Sequence, residues 1–136
     1  MKILDWKNEL KENELKEVSS CLENGGLVIF PTETVYGLGA LATNPKAVDN
    51  IFIAKGRAND NPLIVHLDSK EEISTYAEVT NDIERKLIEA FMPGPFTIIL
   101  KKKDIIPNNV SANLSTVGIR IPANKIANTI LKYHHL

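Results

Sequence analysis

Residues 27–39 read LVIFPTETVYGLG, an apolar run closed by a proline and followed at once by a polar, glycine-containing segment. The run Leu27-Val28-Ile29-Phe30 shows no polar–apolar alternation, which predicts a short strand covered on both faces. Pro31 ends it, because proline lacks the N–H that an interior sheet position donates. Residues 31–39 therefore leave the end of a buried strand, where α/β sheets tend to present ligand-binding loops. Thr32, Glu33, Thr34 and Tyr36 place two hydroxyls, a carboxylate and a phenol close together, a donor and acceptor set suited to a polar ligand. Gly37 and Gly39 would let a ligand or a neighbouring strand approach the backbone closely. The alternative is an ordinary polar turn whose glycines serve only the sheet. The glycine spacing fits neither the dinucleotide fingerprint nor the Walker phosphate loop, so both of those nucleotide folds are set aside.

On the N-terminal side, Leu15, Val18 and Leu22 recur at helical spacing after Asn13, an expected N-cap, and Gly25-Gly26 supplies a stop. On the C-terminal side, Asn44-Pro45 starts a second helix with Val48, Ile51 and Phe52 inward. Residues 63–67 read as another buried strand. A third helix follows Thr80, with Ile83, Leu87, Ile88 and Phe91 inward, and Pro93-Gly94-Pro95 ends it. Residues 96–100 and 117–121 are two more strands, and residues 124–133 a last helix. Alternating helices and strands predict α/β layers around one sheet in a single unit spanning residues 1–136.

The totals agree with a folded domain. The chain has 136 residues, 43% hydrophobic and 24% charged, which excludes disorder and membrane-spanning segments as the main character. A formal net charge of -1 argues against a general nucleic-acid coat, which needs a basic excess. One cysteine, Cys21, excludes an internal disulfide and a Cys-rich zinc site. The charged start MKILDWKNELKENELK lacks a signal-peptide core, and no apolar run approaches the roughly 20 residues that cross a bilayer. The expected location is the cytoplasm, with no membrane partner.

Four further segments offer chemistry. Lys55-Gly56-Arg57 closes the second helix. Its two cations could hold an anionic substrate and offset charge at a transferring phosphoryl group, or could simply be solvated charges at a helix C-terminus. His66 shares one strand face with Ile64 and Asp68, while Leu63, Val65 and Leu67 take the other. It is either a hydrogen-bonded structural residue or a site residue. Arg120 lies in an apolar strand, so an acidic group or a bound anion should face it. Lys101, Lys102 and Lys103 read as a solvated edge that discourages sheet pairing, or as an RNA-contacting patch. His134 and His135 are adjacent and do not form a helical metal pair.

Taken together, PTETVYGLGA at 31–40, AKGRANDNPLIVHL at 54–67, PGPFTIIL at 93–100 and TVGIRIPAN at 116–124 resemble the YrdC-domain family, in particular threonylcarbamoyl-AMP synthases of the TsaC type. Their order and spacing match too, so the resemblance covers most of the chain after about residue 12. It implies an α/β fold with a twisted mixed sheet flanked by helices. It also implies a reaction joining L-threonine, bicarbonate and ATP into threonylcarbamoyl-AMP with release of pyrophosphate. The product supplies the threonylcarbamoyl group for an adenosine beside the tRNA anticodon, which makes tRNA and other tRNA-modification proteins the candidate partners. By the same resemblance, Lys55 and Arg57 neutralise carboxylate and phosphate charge and are the catalytic pair. Thr32, Thr34 and Tyr36 line the threonine and nucleotide site, with His66 and Arg120 at further positions near the ligand. ATP enters as a substrate, and Mg2+ bridging its phosphates is expected.

The resemblance also sets expectations about the C-terminus. The family continues into a strand and a Ser-Ala-Asn motif followed by Ser-Gly, which completes the nucleotide site. Here Ser111-Ala112-Asn113-Leu114-Ser115 spells something similar but precedes the Arg120 strand. It is read as a coincidental loop match and left out of the site. The expectation is a chain truncated at its C-terminal part, carrying part of the active site. Two alternatives stand beside the synthase. One is an RNA-binding module. The other is the carbamate-adenylating domain of hydrogenase maturation proteins, disfavoured because no acylphosphatase or zinc-finger feature precedes residue 12.

Overall fold

A computed structural model describes residues 1–4, 11–32, 35–56 and 61–134. The chain opens with helix α1 (Glu12–Glu23) and a hairpin of β1 (Val28–Pro31) and β2 (Tyr36–Gly39). Helix α2 (Pro45–Lys55), strand β3 (Ile64–His66), a short 3-10 turn and α3 (Ile73–Tyr76) follow. Then come β4 (Ala77–Glu78), α4 (Asp82–Phe91), β5 (Thr97–Lys102), β6 (Thr116–Arg120) and α5 (Lys125–His134). The described strands form two groups rather than the single sheet expected: the antiparallel β1–β2 hairpin, and a four-stranded sheet in the order β3-β6-β5-β4. Within the latter β3 runs parallel to β6, while β6–β5 and β5–β4 are antiparallel, so the sheet is mixed.

Helix ends follow local chemistry. Pro45 begins α2 while the Asn44 side chain accepts a bond from the Ala47 N–H at 3.2 Å, and Gly56 at φ 63° ends it in the left-handed region. The α1 stop is a Schellman arrangement, with the Gly25 N–H donating to Leu22 O at 3.1 Å and the Gly26 N–H to Cys21 O at 2.8 Å. Its start lies two residues before Asn13: Lys11 is the cap residue, and its N–H donates to Glu14 Oε2 at 3.3 Å. Glu12 and Glu14 in the first turn meet the positive end of the helix dipole there. Asn81 caps α4, accepting from the Glu84 N–H at 2.8 Å, and Glu84 Oε1 accepts from the Thr80 N–H and Oγ1 at 2.7 and 2.9 Å.

Strand alternation divides the four-stranded sheet into two faces. Val65, Val117, Ile119, Ile98, Leu100 and Ala77 are buried on one face, packing with Val48 and Phe52 of α2 and Ile88 of α4 into the main core. The other face carries Ile64, His66, Thr97, Ile99, Gly118 and Arg120, none of them fully buried. A second, smaller cluster joins Val18 and Leu22 of α1 to Ile130 of α5, with Val28 and Phe30 of the hairpin against it.

Three further expectations change here. On α4, Leu87 and Ile88 meet the core but Ile83 and Phe91 are exposed. Ile83 sits about 140° round the helix from Ile88 at about 100° per residue, and Phe91 stacks on Phe96 at the helix end with ring centroids 5.2 Å apart. Residues 36–39, expected as loop, form a strand. The Lys101–Lys102 pair is not at an open edge, because β4 covers it through Ala77↔Lys102 and Glu78↔Lys101.

Candidate functional site

A cavity of about 330 Å³ opens between the hairpin, α2, β3 and α5. That volume lies at the small end of ligand pockets, and its walls are mostly apolar with a few polar groups, as such sites usually are. Each wall follows from local sequence. The hairpin register pairs Phe30 with Gly37 and Val28 with Gly39, so Val28, Phe30 and Thr32 share the inner face with the two glycines. The glycines are required by close approach: a Cβ on Gly39 would lie 2.7 Å from Phe30 Cε1, and one on Gly37 3.3 Å from Phe30 Cζ. Helix α2 contributes Val48 and Ile51, with Lys55 at its C-terminal end. Strand β3 contributes Ile64 and His66, and α5 contributes Ala127, Ile130 and Leu131.

Of the residues expected at the site, Thr32, Lys55 and His66 are brought together on this one cavity. The Lys55 ammonium is exposed at the rim, opposing the negative end of the α2 dipole. Thr32 closes the hairpin turn: its N–H donates to Val35 O at 3.2 Å, its Oγ1 accepts from the Val35 N–H at 3.2 Å, and Oγ1 also bonds Val35 O. Nδ1 of His66 lies 3.2 Å from Ile64 O, and the His66 ring meets Phe30 edge-on with centroids 6.0 Å apart at 76°.

Arg120 stands beside His66. The two are register partners in the parallel β3–β6 pair and project from the same sheet face, at the carboxyl ends of their strands. Thr97 is the register partner of Arg120 on the other side and adds a hydroxyl that nothing in its local sequence marks. Tyr36 is not brought to the cavity. It falls on the opposite face of the hairpin with its side chain 75% exposed, beside a second opening lined by the N-terminal arm and α1, because period-2 alternation separates it from Gly37 and Gly39. Thr34 and Arg57 lie outside the described residues.

The apolar lining was missed. Phe30 and Ile51 read as ordinary core in the sequence, since nothing local distinguishes a core-facing apolar residue from a cavity-facing one. The loop at 103–115 was missed as structure. Ile106 and Val110 are buried in it, Val110 O accepts from the Leu63 N–H at 2.8 Å, and Asn109 Nδ2 donates to Pro45 O at 2.7 Å and Asp49 Oδ1 at 2.9 Å. Ser111 is fully buried with its hydroxyl on Asn108 O at 3.4 Å, and Ala112 and Asn113 adopt positive φ. These residues belong to a structural turn.

A cationic rim, an imidazole and a hydroxyl set against apolar walls can hold a small molecule that has an anionic end and an aliphatic part. Low dielectric behind the polar groups strengthens their grip on charge. The described lining carries no carboxylate, and among the described residues no three acidic, histidine or cysteine side chains cluster as a metal site.

Comparisons with known proteins identify the family. The sequence model of the family described as Telomere recombination (Sua5, YciO and YrdC) matches residues 20–136. A threonylcarbamoyl-AMP synthase of Pyrococcus abyssi is 41% identical over 125 residues, covering 92% of this chain and 37% of that protein. The Bacillus subtilis threonylcarbamoyl-AMP synthase is 39% identical over 132 residues, covering 95% of this chain and 38% of its own length. The crystal structure of P. abyssi Sua5 complexed with L-threonine superposes with a TM-score of 0.89 at 39% identity, over 94% of this chain and 38% of that one. The chain thus spans less than two fifths of the length of these relatives. A family match across residues 20–136 and relatives near 40% identical over nearly the whole chain place the protein in the Sua5/YciO/YrdC family.

Proposed function

We propose that the cavity between the hairpin and β3 is the substrate site of a threonylcarbamoyl-AMP synthase. The observation that carries this reading is the convergence of Thr32, Lys55 and His66, from two separate matched segments, on one cavity. In the proposed reaction the amine of L-threonine captures bicarbonate as a carbamate, with loss of water. A carbamate oxygen then attacks the α-phosphate of ATP, and pyrophosphate leaves as the new phosphorus–oxygen bond forms. The carbamate falls apart in water, so the site must hold it shielded and aligned.

The residues divide that work. Lys55 and Arg57 hold carboxylate and phosphate charge and offset the charge that builds on the transferring phosphoryl group. Thr32, at the hairpin turn, and Thr34 orient threonine and nucleotide. His66 and Arg120, side by side at the strand ends, contact the ligand from the sheet. Phe30 and Ile51 exclude water. Tyr36, on the opposite hairpin face, is the weakest member of the expected set. Magnesium would accompany the nucleotide as the counter-ion of its phosphates.

The product would be consumed by transfer to a tRNA adenosine, with tRNA and other modification proteins as partners. An RNA-binding role for the lysine run has little support. Lys101 pairs with Glu78 at 3.6 Å, Lys102 Nζ donates to Ile106 O and Asn108 Oδ1 at 3.0 and 2.8 Å, and Lys103 bonds Ser74 O. Among the described residues no helix is long and apolar enough to cross a membrane.

The deciding experiment is pyrophosphate release in the presence of ATP, magnesium and bicarbonate, with and without L-threonine, alongside calorimetric titration of the chain with L-threonine. Threonine-dependent release is the expected result. Release that ignores threonine, or a folded chain that binds no threonine at millimolar concentrations, overturns the proposal.

A further inference from the structure

The loop at 103–115 joins β5 to β6, and two adjacent residues in it reach the two ends of one distant segment. Asn109 Nδ2 donates to Pro45 O at 2.7 Å and to Asp49 Oδ1 at 2.9 Å, both in the first two turns of α2. Val110 O accepts from the Leu63 N–H at 2.8 Å, one residue before β3. Residues 45–63 are thus fastened at both ends to neighbouring points on the loop. Lys55 lies between the two fastenings, on the cavity rim. A carbonyl and a carboxylate only accept, so the Asn109 amide must turn Nδ2 to both. Val110 is 2% exposed, and its side chain lines the cavity with Val48, Ile51 and Leu63.

Apolar packing alone does not define the position of α2 to that degree. Val48 and Phe52 set the depth of the helix against the sheet core, but burial is non-directional and opposes sliding and tilting weakly. Hydrogen bonds hold over a narrow range of distance and angle, and these two grip the end of the helix far from Lys55. With 11 residues, α2 is about 16 Å long, so a tilt of ~10° displaces one end relative to the other by about 3 Å. A misplacement of about 1 Å can cost a positioned group about 100-fold in rate.

We propose that Asn109 is a positioning residue for Lys55: with Val110 it clamps both ends of the α2–β3 segment to one loop, and so fixes where the ammonium stands on the cavity rim. The inference deepens the functional reading and rests on it for what the ammonium does. The clamp itself is a property of the unliganded chain. It gives the buried loop a purpose besides joining two strands, and it ties a residue outside the cavity to the charge that the site presents.

The test reverses the donor and acceptor across the clamp. Asn109→Asp keeps the shape of the side chain, removes both donors and sets a second carboxylate against Asp49. Adding Asp49→Asn restores one hydrogen bond over the same gap with the roles exchanged. Residual dipolar couplings of the α2 amides, read against those of β5 and β6 in the chain without ligand, measure the orientation of the helix. Pyrophosphate release with ATP, magnesium, bicarbonate and L-threonine measures turnover. Asn109→Asp should turn α2 relative to the sheet and lower kcat about tenfold or more, with KM for L-threonine within about twofold of wild type. The double variant should recover the orientation and most of kcat. Ile106→Val, buried in the same loop, loosens it without touching the clamp and should leave kcat unchanged, which separates positioning from loss of stability. If Asn109→Asp does not fold, Asn109→Ala, which removes the bonds without adding charge, decides in its place. An unmoved α2 or a normal kcat in the folded variant overturns the proposal, and so does a double variant that recovers neither. If α2 turns and returns as expected but wild type shows no threonine-dependent release, the clamp stands and the synthase reading fails.

Discussion

Around the four-stranded sheet, Val65, Leu67, Ile98, Leu100, Val117 and Ile119 pack into one continuous core, whereas among the described residues the cluster against the hairpin has three buried members, Val18, Leu22 and Ile130. The chemistry is distributed the other way. The hairpin supplies Thr32 and the ring of Phe30 and borders the cavity along its whole inner face, while the sheet offers the site only its strand ends at His66 and Arg120. The difference teaches that the well-packed half of this molecule is a platform and the thinly buried half walls most of the proposed site. Segments with few buried apolar contacts are also the ones that open most readily, so ligand binding should order the hairpin more than it orders the sheet.

The sharpest way to break that comparison is to truncate one residue in each half. Ile119 is 0% exposed at the centre of the sheet, and Ile119→Ala should cost about 4 kcal/mol, toward the upper end of such truncations because its surroundings cannot collapse. Leu22→Ala, in the small cluster beside the hairpin, should cost about 2 kcal/mol, since its neighbours can relax. Urea unfolding of both variants measures the pair. Equal losses would mean that the two clusters are one cooperative core, and the division into platform and ligand-shaped layer would fall.

Lys55 separates activity from stability. Its side chain is exposed at the end of α2, so Lys55→Ala should leave the unfolding free energy within about 0.5 kcal/mol. Threonine-dependent pyrophosphate release should fall at least about 100-fold if the ammonium holds developing phosphate charge. Near-normal turnover would remove Lys55 from the proposed site, and a large stability loss would show that it belongs to the platform instead.

The two halves also differ in how far their sequence could be read. In the sheet half the signals are local. Asn44-Pro45 and Gly56 mark the ends of α2, and the alternation of Ile64, Val65, His66 and Leu67 sorts exposed from buried residues by position alone. The exceptions there are segments held by distant partners: β4, two residues long, exists because β5 lies beside it, and Ile106, Val110 and Ser111 of the loop at 103–115 are buried because Asn109 and Val110 tie the loop to α2 and to the entry of β3. In the hairpin half, β2 reads as loop because its glycines carry no strand propensity, and their purpose is visible only once Phe30 lies over them. The same geometry decides the site. Thr32 and Tyr36 are four residues apart in the sequence, yet the turn pairs Pro31 with Tyr36 and sends the tyrosine to the far face. Residue types predicted which side chains could bind a ligand, and only the hairpin register determined which of them share a cavity.

Asn109 tests how the platform is fastened. Its amide bridges the loop to Pro45 O and Asp49 Oδ1 on α2, and Asn109→Ala should cost about 1 kcal/mol, the usual net value of a hydrogen bond. Hydrogen exchange should quicken in α2 and the loop, not in the hairpin. Quickening in the hairpin would show that the two halves are coupled through α2 rather than only across the cavity.

The smallest expected effect is a pH dependence confined to the platform. Bonds from the Thr80 N–H, the Thr80 hydroxyl and the Asn81 backbone hold the Glu84 carboxyl below its ordinary value of 4.5, because each donor favours the charged form. A carboxyl with a lowered folded-state pKa binds fewer protons folded than unfolded. Its contribution is therefore complete above about pH 4.5 and is lost as pH falls through the lowered value. Glu84 lies at the surface, so solvent screening keeps the effect slight. Glu84→Gln should flatten the acid limb of the stability curve. The gap between wild type and variant should be present near neutral pH and close on acidification, as read from urea midpoints. Hydrogen exchange at neutral pH should locate the loss at the first turn of α4, leaving the hairpin amides unchanged. A gap that persists at acid pH would mean that Glu84 acts through its shape rather than its charge, and the cap would then be a packing contact.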